Sequence, residues 1–101
     1  MTPFIDLAGA SGALYRFRRF EGQLPPVGGN FVYVVEDDDA VRVVGCGKTR
    51  TLLRAQTSDP RGSGQGAALY IRLNVAGALR DFEHQDLIAA LPQPFAVYDA
   101  D

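Results

Sequence analysis

The sequence predicts a mixed α/β or α+β domain in which two or three helices pack on a small sheet with a central β-hairpin. Three observations predict it: two β-branched runs separated by an acidic turn, a later segment that alternates apolar and polar residues, and a long C-terminal segment of helical character. With 101 residues, 47% of them hydrophobic, the chain is long enough for one self-supporting core and too short for two. We therefore expect residues 1–101 to form a single domain.

The first predicted strand covers residues 14–20, where aromatic and arginine side chains alternate. Exposed arginines protect an edge strand from aggregation, so we interpret this segment as a sheet edge. The alternative is that the aromatic and arginine side chains stack on and neutralise a single strand of nucleic acid. An exposed edge also allows two copies to pair, so both a monomer and a homodimer remain open.

A β-hairpin over residues 31–44 is the clearest local signal. Four acids, Glu36 to Asp39, separate its two valine-rich strands and favour a turn, because aspartate side chains bond to their own backbone. A site for a hard cation at this turn is the alternative to a solvated tip. We expect Gly45 and Gly47 to end the second strand and to lead into a short helix within residues 49–56.

The second half of the chain contains a loop, a strand and a helix. Residues 58–66 hold one proline and three glycines and are expected to form a mobile loop. Residues 68–75 place apolar side chains at period two, which predicts a half-buried strand. Residues 78–91 form the best helix, which Pro92 ends.

Two motifs around Cys46 resemble sites with known chemistry. The segment Gly45 to Thr49 resembles the end of a phosphate-binding loop, but that loop needs a glycine where Arg42 stands, which excludes an ATPase. A lysine and a helix start near Cys46 would suit a thiol of low pKa, although no histidine lies near it in sequence. A single cysteine cannot form an internal disulfide.

Charge is unevenly distributed along the chain. Residues 42–80 carry seven bases and one acid, whereas residues 36–39 are all acidic and residues 81–101 carry five acids and no base. The basic segment could hold an anionic partner such as nucleic acid, and its candidate contacts are Arg42, Lys48, Arg50 and Arg72. The alternative is that the blocks neutralise each other after folding.

Nothing in the sequence predicts a membrane or secreted protein. No apolar run approaches the roughly 20 residues of a membrane helix, and the N-terminus lacks a basic region followed by an apolar one. We therefore expect a cytoplasmic protein without a membrane partner.

The hairpin strands, the following Leu52 and Arg54, and the late run from Glu83 to Pro92 together resemble the GIY-YIG nuclease family. The resemblance covers residues 29–95 in the family's order. It implies a GIY-YIG-like fold and metal-assisted hydrolysis of a phosphodiester, with tyrosine hydroxyls helping to activate water. It also implies Mg²⁺, or Mn²⁺, as the cofactor of an active member.

Both tyrosine positions of the family pattern depart from it. Phe31 stands at the first, and Gly45 or Val43 stands at the second, so neither side chain can carry a proton. Tyr33 lies two residues along the strand, on the same face as Phe31, and its phenol could substitute. Arg54 matches the family's catalytic arginine and would stabilise phosphate charge.

The acidic position of the late helix is ambiguous. Counting back from Leu87 and Ile88 places the family's metal-binding glutamate on His84, a weak ligand for magnesium. Helical spacing instead places Glu83 on one ridge with Leu79, Leu87 and Leu91, beside Phe82. A carboxylate there is either desolvated or paired with a base, unless the helix turns so that Glu83 reaches solvent beside Arg80.

Two functional hypotheses follow. In the first, which we favour, the domain is non-catalytic or weakly active and binds nucleic acid or a protein. In the second, the domain is a metal-dependent phosphodiesterase acting on DNA, with Tyr33, Arg54 and Glu83 as its catalytic residues and Glu83 as its metal ligand. Convergence of these three side chains on one cleft would favour the second.

Overall fold

The structure is a computed structural model that describes residues 3–37, 40–55 and 66–99, with the side chain of Asp37 left out. The described chain contains six strands, one α-helix and a single 3₁₀ turn at Leu52–Arg54. The strands are β1 (Phe4–Ala8), β2 (Leu14–Arg19), β3 (Gly29–Asp37), β4 (Ala40–Thr49), β5 (Ala68–Leu73) and β6 (Ala96–Asp99), and the helix is α1 (Gly77–Ala90).

One sheet contains all six strands in the order β1-β2-β5-β3-β4-β6. Neighbouring strands are antiparallel, except that β6 runs parallel to β4. The sheet curls into a half-barrel, so the prediction of two or three helices on a small sheet is wrong. Two differences are local: the short helix expected within residues 49–56 is reduced to the 3₁₀ turn Leu52–Arg54, and the additional strands β1 and β6 join the sheet.

The predicted hairpin is confirmed as β3 and β4, which pair from Gly29 with Thr49 to Asp37 with Ala40. Gly45 and Gly47 lie inside β4 and do not end it, which corrects the expected strand boundary. The reason is steric: a Cβ atom on Gly47 would overlap the ring of Phe31, which packs directly on the strand backbone. These glycines therefore allow large aromatic rings to lie flat on β4.

The sheet has two differently covered faces because successive side chains point to opposite sides. We call the side under α1 the helix face; its buried residues include Ile5, Tyr15, Phe17, Val32, Val34, Val43, Cys46 and Tyr70. We call the other side the aromatic face; its buried residues are Phe31, Tyr33, Val44, Leu52, Ala55, Leu69 and Ile71, with Tyr98 packed against them.

The strand predicted over residues 14–20 is present as β2, but it is not an edge strand. It lies between β1 and β5, and the edges of the sheet are β1 and β6. Tyr15 and Phe17 are buried on the helix face, whereas Arg16 and Arg18 are exposed. The alternation was therefore read correctly, and the missing element was the pairing partner β1.

The strand predicted over residues 68–75 ends earlier, at Leu73. Leu69 and Ile71 are buried as expected, but Tyr70 on the opposite side is buried as well, so the middle of β5 is covered on both faces. Leu73 and Val75 are exposed. The loop expected at residues 58–66 lies outside the described residues except for Gly66, which has a φ of +78°.

The C-terminal helix is confirmed as α1, and it ends two residues before Pro92. Its orientation differs from the predicted apolar ridge: Leu79 and Phe82 are 57% and 56% exposed, whereas Leu87 is fully buried. Within the described chain, no helix is long and apolar enough to cross a membrane.

Candidate functional site

The side of α1 that faces the sheet is mostly polar. Four of its polar or charged side chains are buried there together with Leu87: Arg80, Glu83, His84 and Asp86. We call these four residues and their hydrogen-bond partners the polar layer. Because a buried charge without a partner costs several kcal/mol, each member of such a layer needs compensation.

Glu83 is compensated by Arg72 of β5. The Arg72 Nε atom donates to the Glu83 Oε1 atom at 2.7 Å, and the two side chains are 29% and 11% exposed. Arg72 also donates to the carbonyl oxygen of Arg16 at 3.3 Å, and its guanidinium lies 5.4 Å from the centroid of the Tyr15 ring. Of the alternatives for Glu83, the structure therefore has the carboxylate paired with a base.

Asp86 ties α1 to the turn between β1 and β2. Its carboxylate accepts hydrogen bonds from the Ser11 hydroxyl at 2.6 Å, the Ser11 backbone N–H at 2.8 Å and the Tyr15 hydroxyl at 2.7 Å. The Ser11 and Tyr15 hydroxyls hold the pKa of Asp86 below its ordinary value, because they bond to the charged form. Burial and the bond to Asp86 raise the pKa of Tyr15.

Arg80, in the first turn of α1, is satisfied by hydrogen bonds to backbone carbonyl oxygens. Its Nη1 atom donates to the carbonyl oxygens of Asn74 and Val75 at 3.0 and 3.1 Å. The buried Asn30 amide donates to the carbonyl oxygen of Arg80 at 3.1 Å and accepts from the Asn74 amide at 3.0 Å. This network fixes the first turn of α1 against β3.

His84 is 3% exposed, and its Nδ1 atom finds no hydrogen-bond partner among the residues that the structure describes. Burial, and then the nearby Lys48 ammonium, lower the pKa of the imidazole, while Asp99 and Asp81 act in the opposite direction. The Lys48 Nζ atom lies 2.8 Å from Asp81 and 4.0 Å from Asp99. His84 is therefore neutral at pH 7 on the side of α1 that faces the sheet.

The three predicted catalytic residues do not share a cleft. Tyr33 is 1% exposed on the aromatic face, edge-on to the rings of Phe31 and Tyr98 at centroid distances of 5.8 and 5.6 Å. Arg54 is exposed in the 3₁₀ turn, whose Leu52 packs on the same aromatic face. Glu83 lies on the helix face, so the sheet separates it from Tyr33.

The residues present do not fit the divalent metal that the family resemblance implies. The Glu83 carboxylate is already held by the Arg72 guanidinium, whose positive charge opposes a second cation. His84 lies near the Lys48 ammonium. Among the described residues, no three His, Cys, Asp or Glu side chains are grouped as metal ligands.

The bases of the segment from Arg42 to Arg80 differ in their surroundings. Lys48 and Arg72 bind acids of α1, and the Arg80 guanidinium is satisfied by backbone carbonyls. Arg42 and Arg50 are exposed. Much of the charge that the sequence offers to an anionic partner is thus used within the fold, as the neutralisation alternative expects.

Cys46 is not a reactive thiol. It is 1% exposed on the helix face, and burial raises its pKa to about 12, so the thiol stays protonated at neutral pH. A Cβ atom on Gly45 or Gly47 would overlap the aromatic rings that pack there, and both glycines lie in β4 rather than in a phosphate-binding loop.

The outward surface of α1 is the feature that the sequence analysis missed. Leu79 and Phe82 are one turn apart on α1, and both side chains are exposed. A signal was present, because Arg80, Glu83, His84 and Leu87 recur at the same helical spacing as a buried face.

No family model matches the chain, and no curated protein and no solved structure matches it either.

Proposed function

We propose that the chain is a non-catalytic protein-interaction domain that associates through the outer surface of α1, defined by Leu79 and Phe82. The observation that carries this proposal is the reversed polarity of α1. The helix buries four polar or charged side chains together with Leu87, whereas its Leu79 and Phe82 side chains are exposed. A helix on the surface of a globular protein ordinarily does the opposite.

This arrangement carries a free-energy cost on both sides of the helix, so it needs an explanation. Burying charged side chains requires a matched partner for each, and the polar layer supplies Arg72, Ser11 and Tyr15 for this purpose. Exposing Leu79 and Phe82 forfeits the roughly 1.5–3 kcal/mol that burial of each such side chain contributes. Contact with another apolar surface would recover part of that free energy.

A second copy of the same chain is the partner that we propose. The acids of α1 near Leu79 and Phe82 all have partners: Asp81 pairs with Lys48, Glu83 with Arg72, and Asp86 accepts from Ser11 and Tyr15. A two-fold axis would lay one such surface on another without bringing like charges together. The surface is small, so we expect a weak dimer in the micromolar range or weaker.

Sedimentation analysis over a series of concentrations tests this proposal. The wild-type chain is expected to shift from 10.9 kDa toward twice that mass as its concentration rises. The double variant Leu79→Ser/Phe82→Ser is expected to remain at the monomer mass. Leu53→Ser is a matched control, because Leu53 is also 57% exposed but lies on the 3₁₀ turn, and this variant should associate like the wild type.

A wild-type chain that stays monomeric at high concentration would contradict the proposed partner. An equal loss of association in Leu53→Ser would show that general surface hydrophobicity, and not the outer surface of α1, drives the contact.

The non-catalytic part of the proposal has its own test. Because Tyr33, Arg54 and Glu83 are not in one cleft and Glu83 is held by Arg72, purified protein should leave DNA intact in Mg²⁺ or Mn²⁺. DNA cleavage that disappears in Glu83→Ala, with the variant still folded by circular dichroism, would refute it and restore the phosphodiesterase hypothesis.

A further inference from the structure

The side of β1 and β2 that faces away from α1 is exposed. Phe4 of β1 is paired directly opposite Arg18 of β2, and directly paired residues have their side chains on the same side of a sheet. Arg18 is in turn opposite Ile71 of β5, which belongs to the aromatic face. The aromatic face therefore extends across β1 and β2, and there it is exposed. We call this part the open face, defined by its exposed side chains Phe4, Asp6, Leu14, Arg16, Arg18 and Leu73.

The open face combines an aromatic ring with arginines, which is the combination considered above for residues 14–20 as a contact for single-stranded nucleic acid. The structure changes the source of the ring. Tyr15 and Phe17 are buried on the helix face, whereas Phe4 of the neighbouring strand is 50% exposed beside the arginines. The Arg16 guanidinium lies 5.7 Å from the centroid of the Phe4 ring. An aromatic ring and guanidinium groups thus share one exposed surface.

Positive charge prevails on the open face. The Arg16 Nε and Nη2 atoms donate to the two carboxylate oxygens of Asp6 at 2.9 and 3.1 Å, so these two charges neutralise each other. The bond to Arg16 holds the pKa of Asp6 below its ordinary value, and the ion pair therefore persists at neutral pH. Arg18 adds a second guanidinium opposite Phe4, and its charge gives the open face a positive sign.

We propose that the open face binds single-stranded nucleic acid, with a base stacked on the Phe4 ring and the adjoining phosphate on Arg18. A single strand presents flat base faces and anionic phosphates side by side, and proteins bind it by aromatic stacking together with basic side chains. Phe4 and Arg18 are direct register partners, so they offer both contacts at one point. Arg16, which is held by Asp6, packs against the ring and restrains its orientation.

Other anionic partners fit the open face less well. Duplex nucleic acid keeps its base faces stacked inside the helix, so it would contact Arg18 and leave the Phe4 ring without a partner. An acidic peptide would likewise satisfy the charge without supplying a flat ring for Phe4 to stack on. One ring and one net charge form a weak complex, and we expect a dissociation constant of about 10–100 μM.

Fluorescence anisotropy of a labelled oligothymidylate of about twelve nucleotides, titrated with the protein at about 50 mM salt, tests the proposal. Saturable binding is expected for the wild type. Phe4→Leu should weaken the affinity by about tenfold, because it keeps an apolar side chain but removes the stacking ring, and Phe4→Tyr should bind like the wild type. Phe82→Leu is the matched control, because it changes a similarly exposed ring on α1, across the sheet, and should leave the affinity unchanged.

The salt dependence of binding tests the phosphate contact. The logarithm of the association constant falls with the logarithm of the salt concentration, with a slope of about 0.7 for each phosphate neutralised on a single strand. Arg18→Gln should therefore reduce the slope by about 0.7. Arg42→Gln is the matched control, because Arg42 is also exposed but lies on β4, three positions from β2 in the strand order, and its slope should equal that of the wild type.

The proposal is overturned if the wild type gives no saturable binding, or if Phe4→Leu, with its fold verified by circular dichroism, binds as tightly as the wild type. Equal losses in Phe4→Leu and Phe82→Leu, or equal changes of slope in Arg18→Gln and Arg42→Gln, would also overturn it, because the contact would then not lie on the open face. The same oligonucleotide annealed to its complement should bind more weakly. Equal affinity for the duplex would contradict stacking on Phe4 and overturn the proposal as well.

Discussion

Individual charged residues of α1 are buried only where a partner compensates them. The pairing of Glu83 with Arg72 and the three hydrogen bonds to Asp86 join the helix to β5 and to the turn before β2. These partners come from positions 11 to 75 residues away in sequence. Arg72, a predicted nucleic-acid contact, therefore stabilises the packing of α1 on the sheet.

Asp86→Asn is expected to change how stability depends on pH. The pKa of Asp86 is lowered in the folded state from its usual value of 3.8, so its contribution is complete above that value. The contribution is lost as the pH falls below about 4, through the folded-state pKa. Urea unfolding from pH 7 to pH 2 should show a steeper acid loss in the wild type than in Asp86→Asn.

The difference between the two curves isolates Asp86 from the other acids, because both proteins share those. Parallel curves over the whole range would mean that the Ser11 and Tyr15 bonds do not favour the charged form.

At the scale of elements, β4 depends on its internal glycines. Gly47→Ala is expected to destabilise the fold by about 1–3 kcal/mol, because the added methyl group would overlap the Phe31 ring. Gly77→Ala is the matched control: the nearest atom to its added methyl group, on Arg80, lies at an ordinary 3.6 Å, and the change favours the helix.

Urea midpoints of the two variants measure this contrast. A Gly47→Ala variant as stable as Gly77→Ala would show that a side chain at position 47 does not disturb the packing of Phe31 on β4.

Local periodicity was sufficient to predict the hairpin, β5 and α1 from the sequence. It was not sufficient for β1 and β6, because a strand of five residues that contains Asp6, and one of four after Pro94, carry little signal without their partners. The short helix expected within residues 49–56 is present only as the 3₁₀ turn Leu52–Arg54, because β4 continues to Thr49, which pairs with Gly29.

The candidate site was less predictable than the fold. Helical spacing left both burial and solvent exposure of Glu83 open, and its pairing with Arg72 depends on where β5 lies under the helix. The separation of Tyr33 from Glu83 follows from the alternation of β3 together with the side of the sheet that α1 covers. Which side of the sheet α1 covers depends on tertiary packing, and helical spacing alone does not determine it.

At the scale of the whole molecule, the half-barrel has two separate surface features. Leu7 of β1 and Val43 of β4 line one pocket, and α1 exposes Leu79 and Phe82. A net charge of -2 conceals this arrangement, because the acids of α1 and the bases of β4 and β5 neutralise each other inside the fold.

The reactivity of a single thiol tests the central claim that α1 turns its apolar side outward for contact with a second copy. In Phe82→Cys, the native Cys46 stays silent because it is buried and its pKa is about 12. The rate of modification by an aromatic disulfide reagent would be measured over about three decades of protein concentration around the micromolar range. The substitution retains an apolar side chain, so weakened association should remain measurable.

We expect fast modification at high dilution, where position 82 is exposed, and progressive protection as the concentration rises and the dimer forms. Slow modification at every concentration would contradict the orientation of α1, and fast modification at every concentration would contradict its role as a contact surface.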